Sequence, residues 1–334
     1  MTGTEFPQLY MRKRKNTAPS PPSSPNPTTS VPTVAKLAIV LVLATSAVIM
    51  MFSMSRLTLA GTPAPTRRVF SDISVYSKHC HASYPNLVDF MLISKRSTGT
   101  RDSQLLTFEA VEDHNFGSLT IPQGVKLPLH DTGKVKSYSP VNLPTASKDG
   151  TMELLVKPYS PVPGGGFGHH LCSLEVGDVQ PLIIKPDRVV HGSTVTAGRW
   201  GFVNLIGGGT GIAPLVQIAR AQLEEGGSVR VLSVNKGDDV LMQEELDGMA
   251  EEHGERFKVR YLDTSREGRG DAKLAREALH LEGDDFQVFV CGQDGFVDHW
   301  AGGIERDENN KKVQGRVRGV LGELKIAESN VYKF

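Results

Sequence analysis

The run Gly207-Gly208-Gly209-Thr210-Gly211, entered from the apolar residues 202–206 and followed by Ile212-Ala213-Pro214 and a helical pattern from Leu215, constrains this chain more than any other feature. Glycines let the backbone reach φ > 0 and approach a ligand closely. A helix opening near Pro214 turns free N–H groups and a positive dipole end toward an anion. The pattern predicts a phosphate-binding turn. Surface loops also use glycine freely, so the residues that follow must decide. Residues 229–234 read as a strand, 239–252 as a helix with Asp239 at its N-terminal end, 257–262 as a strand, 272–279 as a short helix, and 286–290 as a strand ending at Cys291-Gly292. Strands alternating with helices predict a parallel α/β sheet. Ligands of such sheets sit at the carboxyl ends of the strands, where the glycine turn, Asp263 and Cys291 all fall.

Upstream of the turn the signals are those of short strands, at residues 104–110, 117–121, 152–156 and 181–184, with Pro and Gly between them and no long helical period. An antiparallel β-barrel or sandwich is the economical expectation. Residues 69–196 would form this β-domain and 197–334 the α/β domain.

The N-terminus is organised differently. Residues 1–33 are rich in Pro, Ser and Thr, carry Arg12-Lys13-Arg14-Lys15, and have Glu5 as their only acid. This composition predicts disorder and resembles a mitochondrial import leader. No charged residue occurs from Leu37 to Ser55, so residues 34–55 are read as a single transmembrane anchor, followed by a linker at 56–68. The polar stretch ahead of it is too long for the start of a cleaved signal. Flanking charges, Lys36 on one side and Arg56, Arg67 and Arg68 on the other, leave orientation open. The expectation is a single-pass mitochondrial membrane protein, with the endoplasmic reticulum membrane as the alternative.

A formal net charge of +0 argues against nucleic-acid binding by bulk electrostatics. Three cysteines without paired spacing, Cys80, Cys172 and Cys291, argue against a disulfide framework or a zinc site. His169 and His170 are adjacent and would point apart on a helix, so no metal site is expected.

Several motifs, in order, resemble the NADH-cytochrome b5 reductases of the ferredoxin-NADP reductase superfamily, the mitochondrial type above all, over about residues 69–334. Lys136-Ser137-Tyr138-Ser139 is similar to the family's Arg-x-Tyr-Ser/Thr; Met152 to Lys157 to its next strand; Gly164 to Leu171 to Gly-Gly-x-Met-Ser-x-x-Leu; residues 207–214 to its pyridine-nucleotide turn; Cys291-Gly292-Gln293-Asp294-Gly295-Phe296 to Cys-Gly-Pro-Pro-x-Met; and Val331-Tyr332-Lys333-Phe334 to its terminus. The resemblance implies an FAD-binding barrel and an NADH-binding α/β domain. It places FAD against Lys136, Tyr138, Ser139, Leu155, Lys157, Gly166, Phe167 and Gly168, and NADH against Gly208, Gly209, Thr210, Gly211, Pro214, Asp263, Cys291 and Gly292. Ser139 and Cys291 would flank the transferred hydride, and Asp263 would repel the extra phosphate of NADPH. The implied activity is electron transfer from NADH through FAD to cytochrome b5 or a similar heme protein.

The chain also departs from the family pattern. Lys136 keeps the charge of an arginine but not its bidentate fork. Gly168 lacks a serine hydroxyl, Ala213 replaces a common threonine, and Gln293 and Asp294 replace two prolines, Asp294 adding a negative charge. Two alternatives stay open at this point: a non-catalytic interaction protein of the same fold, and a reductase with another acceptor such as a quinone or ferric chelate.

Overall fold

The computed structural model of the protein describes residues 86–99, 102–112, 121–129, 134–142, 151–158, 166–194 and 196–334. All of them fall in one compact unit, Pro65–Phe334. The expected leader, anchor and linker lie outside the described residues, as do residues 117–120 of one expected strand. Among the described residues no helix is long and apolar enough to cross a membrane.

The first half is an antiparallel sheet of β1 (Leu87–Ser97), β2 (Gln104–Ala110), β3 (Val125–Leu129), β4 (Lys134–Tyr138), β5 (Thr151–Val156) and β6 (Val179–Ile184), in the order β4-β3-β6-β1-β2-β5. β1 is the hub: its first five residues pair with β6, and Phe90 onward pairs with β2 across an irregularity between Leu92 and Ser94. The edges meet where Pro140, just after β4, bridges Leu154 of β5, and the Val141 amide donates to Glu153 O at 2.9 Å. That closes the sheet on itself, as a barrel requires. Phe90, Leu92, Leu106, Phe108, Leu127, Leu154 and Leu182 fill it, with Leu171 from the short helix α1 (Phe167–Ser173).

The second half is a parallel sheet of β7 (Phe202–Gly208), β8 (Ser228–Asn235), β9 (Phe257–Asp263), β10 (Phe286–Cys291) and β13 (Val331–Lys333), in the order β13-β10-β7-β8-β9. A small hairpin, β11 (Glu305–Arg306) with β12 (Lys312–Val313), stands apart from it. Because neighbouring side chains on a strand point to opposite faces, each apolar strand feeds two cores. Val203, Leu205, Val229, Val231 and Phe289 pack with α2 (Ile212–Glu224) and α3 (Gln243–His253). Ile206, Leu232, Val234, Val288 and Val290 pack on the other side with α4 (Ala272–Ala278), α5 (Asp294–Ala301) and α6 (Gly319–Glu323). Asp271 caps α4 by accepting from the Leu274 amide at 2.9 Å.

Leu105, Val141 and Leu155 of the barrel belong to the same buried cluster as α2 and its sheet face. Buried polar bonds run across the same boundary: the Gln123 amide donates to Gln217 Oε1 at 2.7 Å, and Arg220 Nη1 donates to Val141 O at 2.9 Å. One buried cluster therefore spans both halves.

Two helix starts differ from expectation. α2 opens at Ile212 behind a single tight turn at Gly209–Gly211, so Pro214 sits inside its first turn, where no donor is lost. α3 opens at Gln243, not 239, because Met242 takes a left-handed conformation at φ 59. Asp239 is therefore not an N-terminal residue of that helix.

Candidate active site

Strand order reverses between β7 and β10, and ligands of open α/β sheets bind at the carboxyl ends of such a pair. A cavity of about 840 Å³ opens there, walled on the other side by the barrel. Its lining brings together most of the residues singled out in the sequence: Lys136, Tyr138, Ser139, Leu155 and Lys157 from β4, β5 and the residues that follow them, Gly208, Gly209, Thr210, Gly211 and Pro214 from the turn, and Cys291 and Gly292 from the end of β10. Gly166, Phe167, Gly168 and Asp263 are not among the lining residues.

Close packing explains the glycines. Cys291 pairs in register with Gly207, and a Cβ on Gly211 would fall on the Cys291 carbonyl oxygen well inside van der Waals contact. A Cβ on Gly208 would meet the Phe296 ring at 2.8 Å. Gly209, at φ +53, has open space where its Cβ would be, so any larger residue would intrude into the cavity.

Gly168 has a different reason. Its missing Cβ would collide with the Lys157 carbonyl, because α1 lies directly on the end of β5. The missing serine hydroxyl is the consequence of that contact. Gly168→Ser is expected to destabilise the protein by about 1–3 kcal/mol, as overpacking does, with no gain in flavin retention; thermal unfolding with and without added FAD checks this.

Sequence reasoning missed several lining residues. Lys185 and Arg188 come from the segment that joins the two halves, Phe296 from α5, and Phe334 from the chain end, where its amide donates to Val290 O at 3.0 Å and Arg188 sits 4.8 Å from its ring. Asp239 and Lys236 also line the cavity. Asp239 is buried and ion-paired with Lys157, which ties the α/β domain to the barrel. It is the one acidic side chain among the described lining residues, against Lys136, Lys157, Lys185, Arg188 and Lys236. Crowding is evident at Lys185, whose affinity for a proton is lowered by burial and then by Arg188, Lys126 and Lys312. A cation-rich wall beside bare glycine backbone fits a dinucleotide diphosphate.

Asp294 does not line the cavity; it opens α5, where a negative charge favours the helix dipole. His169 is exposed, and His170 Nε2 lies 2.7 Å from Gln180 Oε1. Burial pushes the Cys291 thiol up to about 12, against a smaller pull downward from Arg188. It stays protonated at neutral pH, so it can pack and orient but not act as a base or nucleophile. Iodoacetamide should modify it at least about tenfold more slowly than a free thiol at pH 8. Folding raises this group's proton affinity, so its contribution to stability is complete below about pH 8.5 and is lost as the pH climbs toward 12.

Two family models match the two halves: the oxidoreductase FAD-binding domain over residues 90–182 and the oxidoreductase NAD-binding domain over residues 205–301. Fold and cavity therefore define a two-domain flavoprotein oxidoreductase that uses FAD and NADH. The chain is 30% identical to NADH-cytochrome b5 reductase 2 of Chaetomium globosum over 249 residues, covering 70% of this chain and 68% of that one. An NADH-cytochrome b5 reductase-like protein of Arabidopsis thaliana is 29% identical over 211 residues, and the match spans 60% of each chain. The chain belongs to the NADH-cytochrome b5 reductase family. Its fold is similar to the cytochrome b5 reductase domain of Ulva prolifera nitrate reductase, with a TM-score of 0.59 at 21% identity, covering 75% of this chain and 98% of that one.

Proposed function

We propose that the protein passes electrons from NADH through FAD to a one-electron acceptor, cytochrome b5 or a similar heme protein, while held to a mitochondrial membrane by residues 34–55. The observation that carries this reading is the single cavity lined by Tyr138 and Ser139 on the barrel side and by the glycine turn and Cys291 on the other. NADH supplies a hydride, and FAD supplies a carrier that takes two electrons and releases them one at a time. The chain's part is to bind, orient and exclude water. Lys136 and Lys157 serve the flavin diphosphate, Tyr138 and Ser139 the flavin ring, the amides of Gly208 to Gly211 the nicotinamide dinucleotide, and Cys291 the nicotinamide itself.

The choice of acceptor is supported by the relatives' names and by the cavity mouth. Lys136, Lys185 and Arg188 all line the cavity, from the barrel side and the linking segment. A cluster of cations suits an acidic protein partner.

The test is the visible spectrum of the full-length protein, before and after NADH without oxygen, followed by addition of ferric cytochrome b5. Flavin bands that bleach with NADH and return as the heme is reduced support the whole reading. Bleaching without heme reduction moves the acceptor to a quinone or ferric chelate. A protein that stays colourless after FAD is supplied overturns the reading in favour of a non-catalytic interaction protein. Loss of mitochondrial targeting on deletion of the first 36 residues tests the location, and unchanged targeting counts against it.

A further inference from the structure

Three polar side chains interrupt the apolar run of α2, and each bonds to backbone that precedes β7 in the chain. Gln217 and Gln222 are 2% and 0% exposed, and Arg220 is partly buried. A buried polar group is costly unless bonded, so the partners account for the interruptions. Gln217 Oε1 accepts from the Gln123 amide at 2.7 Å, and its Nε2 donates to Asn142 O at 3.3 Å. Arg220 Nη1 donates to Val141 O at 2.9 Å. Gln222 grips the linking segment instead: Oε1 accepts from the Gly198 amide at 3.1 Å and Nε2 donates to Trp200 O at 2.6 Å.

Val141 and Asn142 closely follow Ser139, which lines the cavity. Within the barrel this segment is fixed by β5: the Val141 amide donates to Glu153 O at 2.9 Å, the Glu153 amide to Asn142 Oδ1 at 3.1 Å, and Asn142 Nδ2 to Thr151 O at 3.1 Å. Gln217 and Arg220 then fix it to α2. The apolar cluster around them adheres without direction, whereas hydrogen bonds set position. At its head α2 carries the glycine turn, with Gly211 about 9 Å along the axis from Gln217. One helix therefore spans from the turn to the segment that carries Ser139.

We propose that Gln217 and Arg220 are positioning residues for hydride transfer: acting through Asn142 and Val141, they hold Ser139 at a set distance from the glycine turn. In that transfer the hydrogen leaves NADH with both electrons of its C–H bond, so NADH is oxidised to NAD+ and FAD, which takes up the hydride, is reduced. The proposal rests on the reductase reading above, so one arm of its test needs no turnover.

The full-length protein and its Gln217→Met, Arg220→Met and Gln222→Met variants would be compared with FAD bound. Stopped flow follows flavin reduction by saturating NADH, calorimetry the binding of NAD+, titration the change NAD+ makes in the flavin absorption band, and thermal scans the stability. Methionine is unbranched and close to glutamine in volume, so it removes the bonds without opening a large cavity. Gln217→Met should slow reduction about thirtyfold, and Arg220→Met, which breaks one bond and not two, about fivefold. Affinity for NAD+ should stay within about twofold, because the turn amides are untouched. The NAD+-induced change in the flavin band, which reports how the two rings approach, should shrink in the same order. Gln222→Met is the control. It strips two bonds from the same helix, so Tm should fall by roughly 3–8 °C, as in Gln217→Met. Gly198 and Trp200 do not line the cavity, so reduction in this control should stay within about twofold of the unchanged rate. Reduction by Gln217→Met within threefold of the unchanged rate, or equal slowing in Gln222→Met, overturns the proposal. Should Gln217→Met not fold, Arg220→Met decides, and a rate within twofold of the unchanged one overturns it. A flavin band that responds to NAD+ as expected in all four proteins, with no reduction by NADH in any, overturns the reductase reading and leaves the positioning of Ser139 standing.

Discussion

Gly211→Ala is expected to cut NADH-driven flavin reduction about a hundredfold while leaving bound FAD in place. The added methyl group would fall on the carbonyl oxygen of Cys291, a backbone atom held in the β10 ladder opposite Gly207. Backbone on both sides leaves no flexible side chain to move aside, so the turn itself must shift. A displacement near 1 Å at a site that aligns two reacting rings costs about two orders of magnitude in rate. The barrel residues Tyr138 and Ser139 are untouched by that shift, and the flavin spectrum should therefore survive. Stopped-flow reduction by NADH, with the oxidised spectrum as control, checks both halves of the statement; a rate within threefold of the unchanged protein would refute it.

The second large effect concerns stability. Lys157→Ala removes the cation paired with Asp239, whose side chain is 5% exposed. A buried carboxylate that loses its paired cation is costly, on the order of 3 kcal/mol, and for a unit of this size that is roughly a 6–10 °C fall in Tm. Replacing both residues by apolar ones of similar length, Lys157→Met with Asp239→Leu, should recover most of the loss, because the desolvation penalty leaves with the charge. Thermal scans of single and double variants decide the matter: equal losses in both would show that the pair itself, and not the stranded charge, carries the stability. Flavin retention is expected to fall in both, since each replaces Lys157, which lines the cavity.

The sequence was most legible where hydrophobic period and local chemistry agree. β2 spans residues 104–110 as expected, and β7, β8, β9 and β10 contain the expected strands with one or two residues added. β4 was invisible because it lies at an edge of the sheet, with Lys134, Val135, Lys136 and Ser137 all exposed, so it carries no buried alternation. Unlike it, β1 holds a long apolar run but bends and changes partner midway, which blurs its period. The site was legible wherever glycine or a family motif marks backbone that must approach something closely. Arg188 carries no such mark, and the motif that ends in Phe334 does not say what its ring meets; tertiary packing alone brings the linking segment and the chain end to the cavity. Nor does local sequence say where Asp263 aims its oxygens, because Oδ1 accepts from the Gly237 amide, 26 residues away.

The apolar cluster shared by Leu105, Val141 and Leu155 with α2 and its sheet face has a mechanical meaning. Two walls glued by hydrocarbon cannot swing like the jaws of a clamp, so the width of the gap between them is settled when the chain folds and not when a ligand arrives. An arriving nucleotide has only side chains to rearrange, and the unit should melt as one body, with no temperature at which one half survives the other. Grafting either half onto a foreign partner would expose that cluster to water, and the orphaned half would aggregate before it had a chance to bind anything.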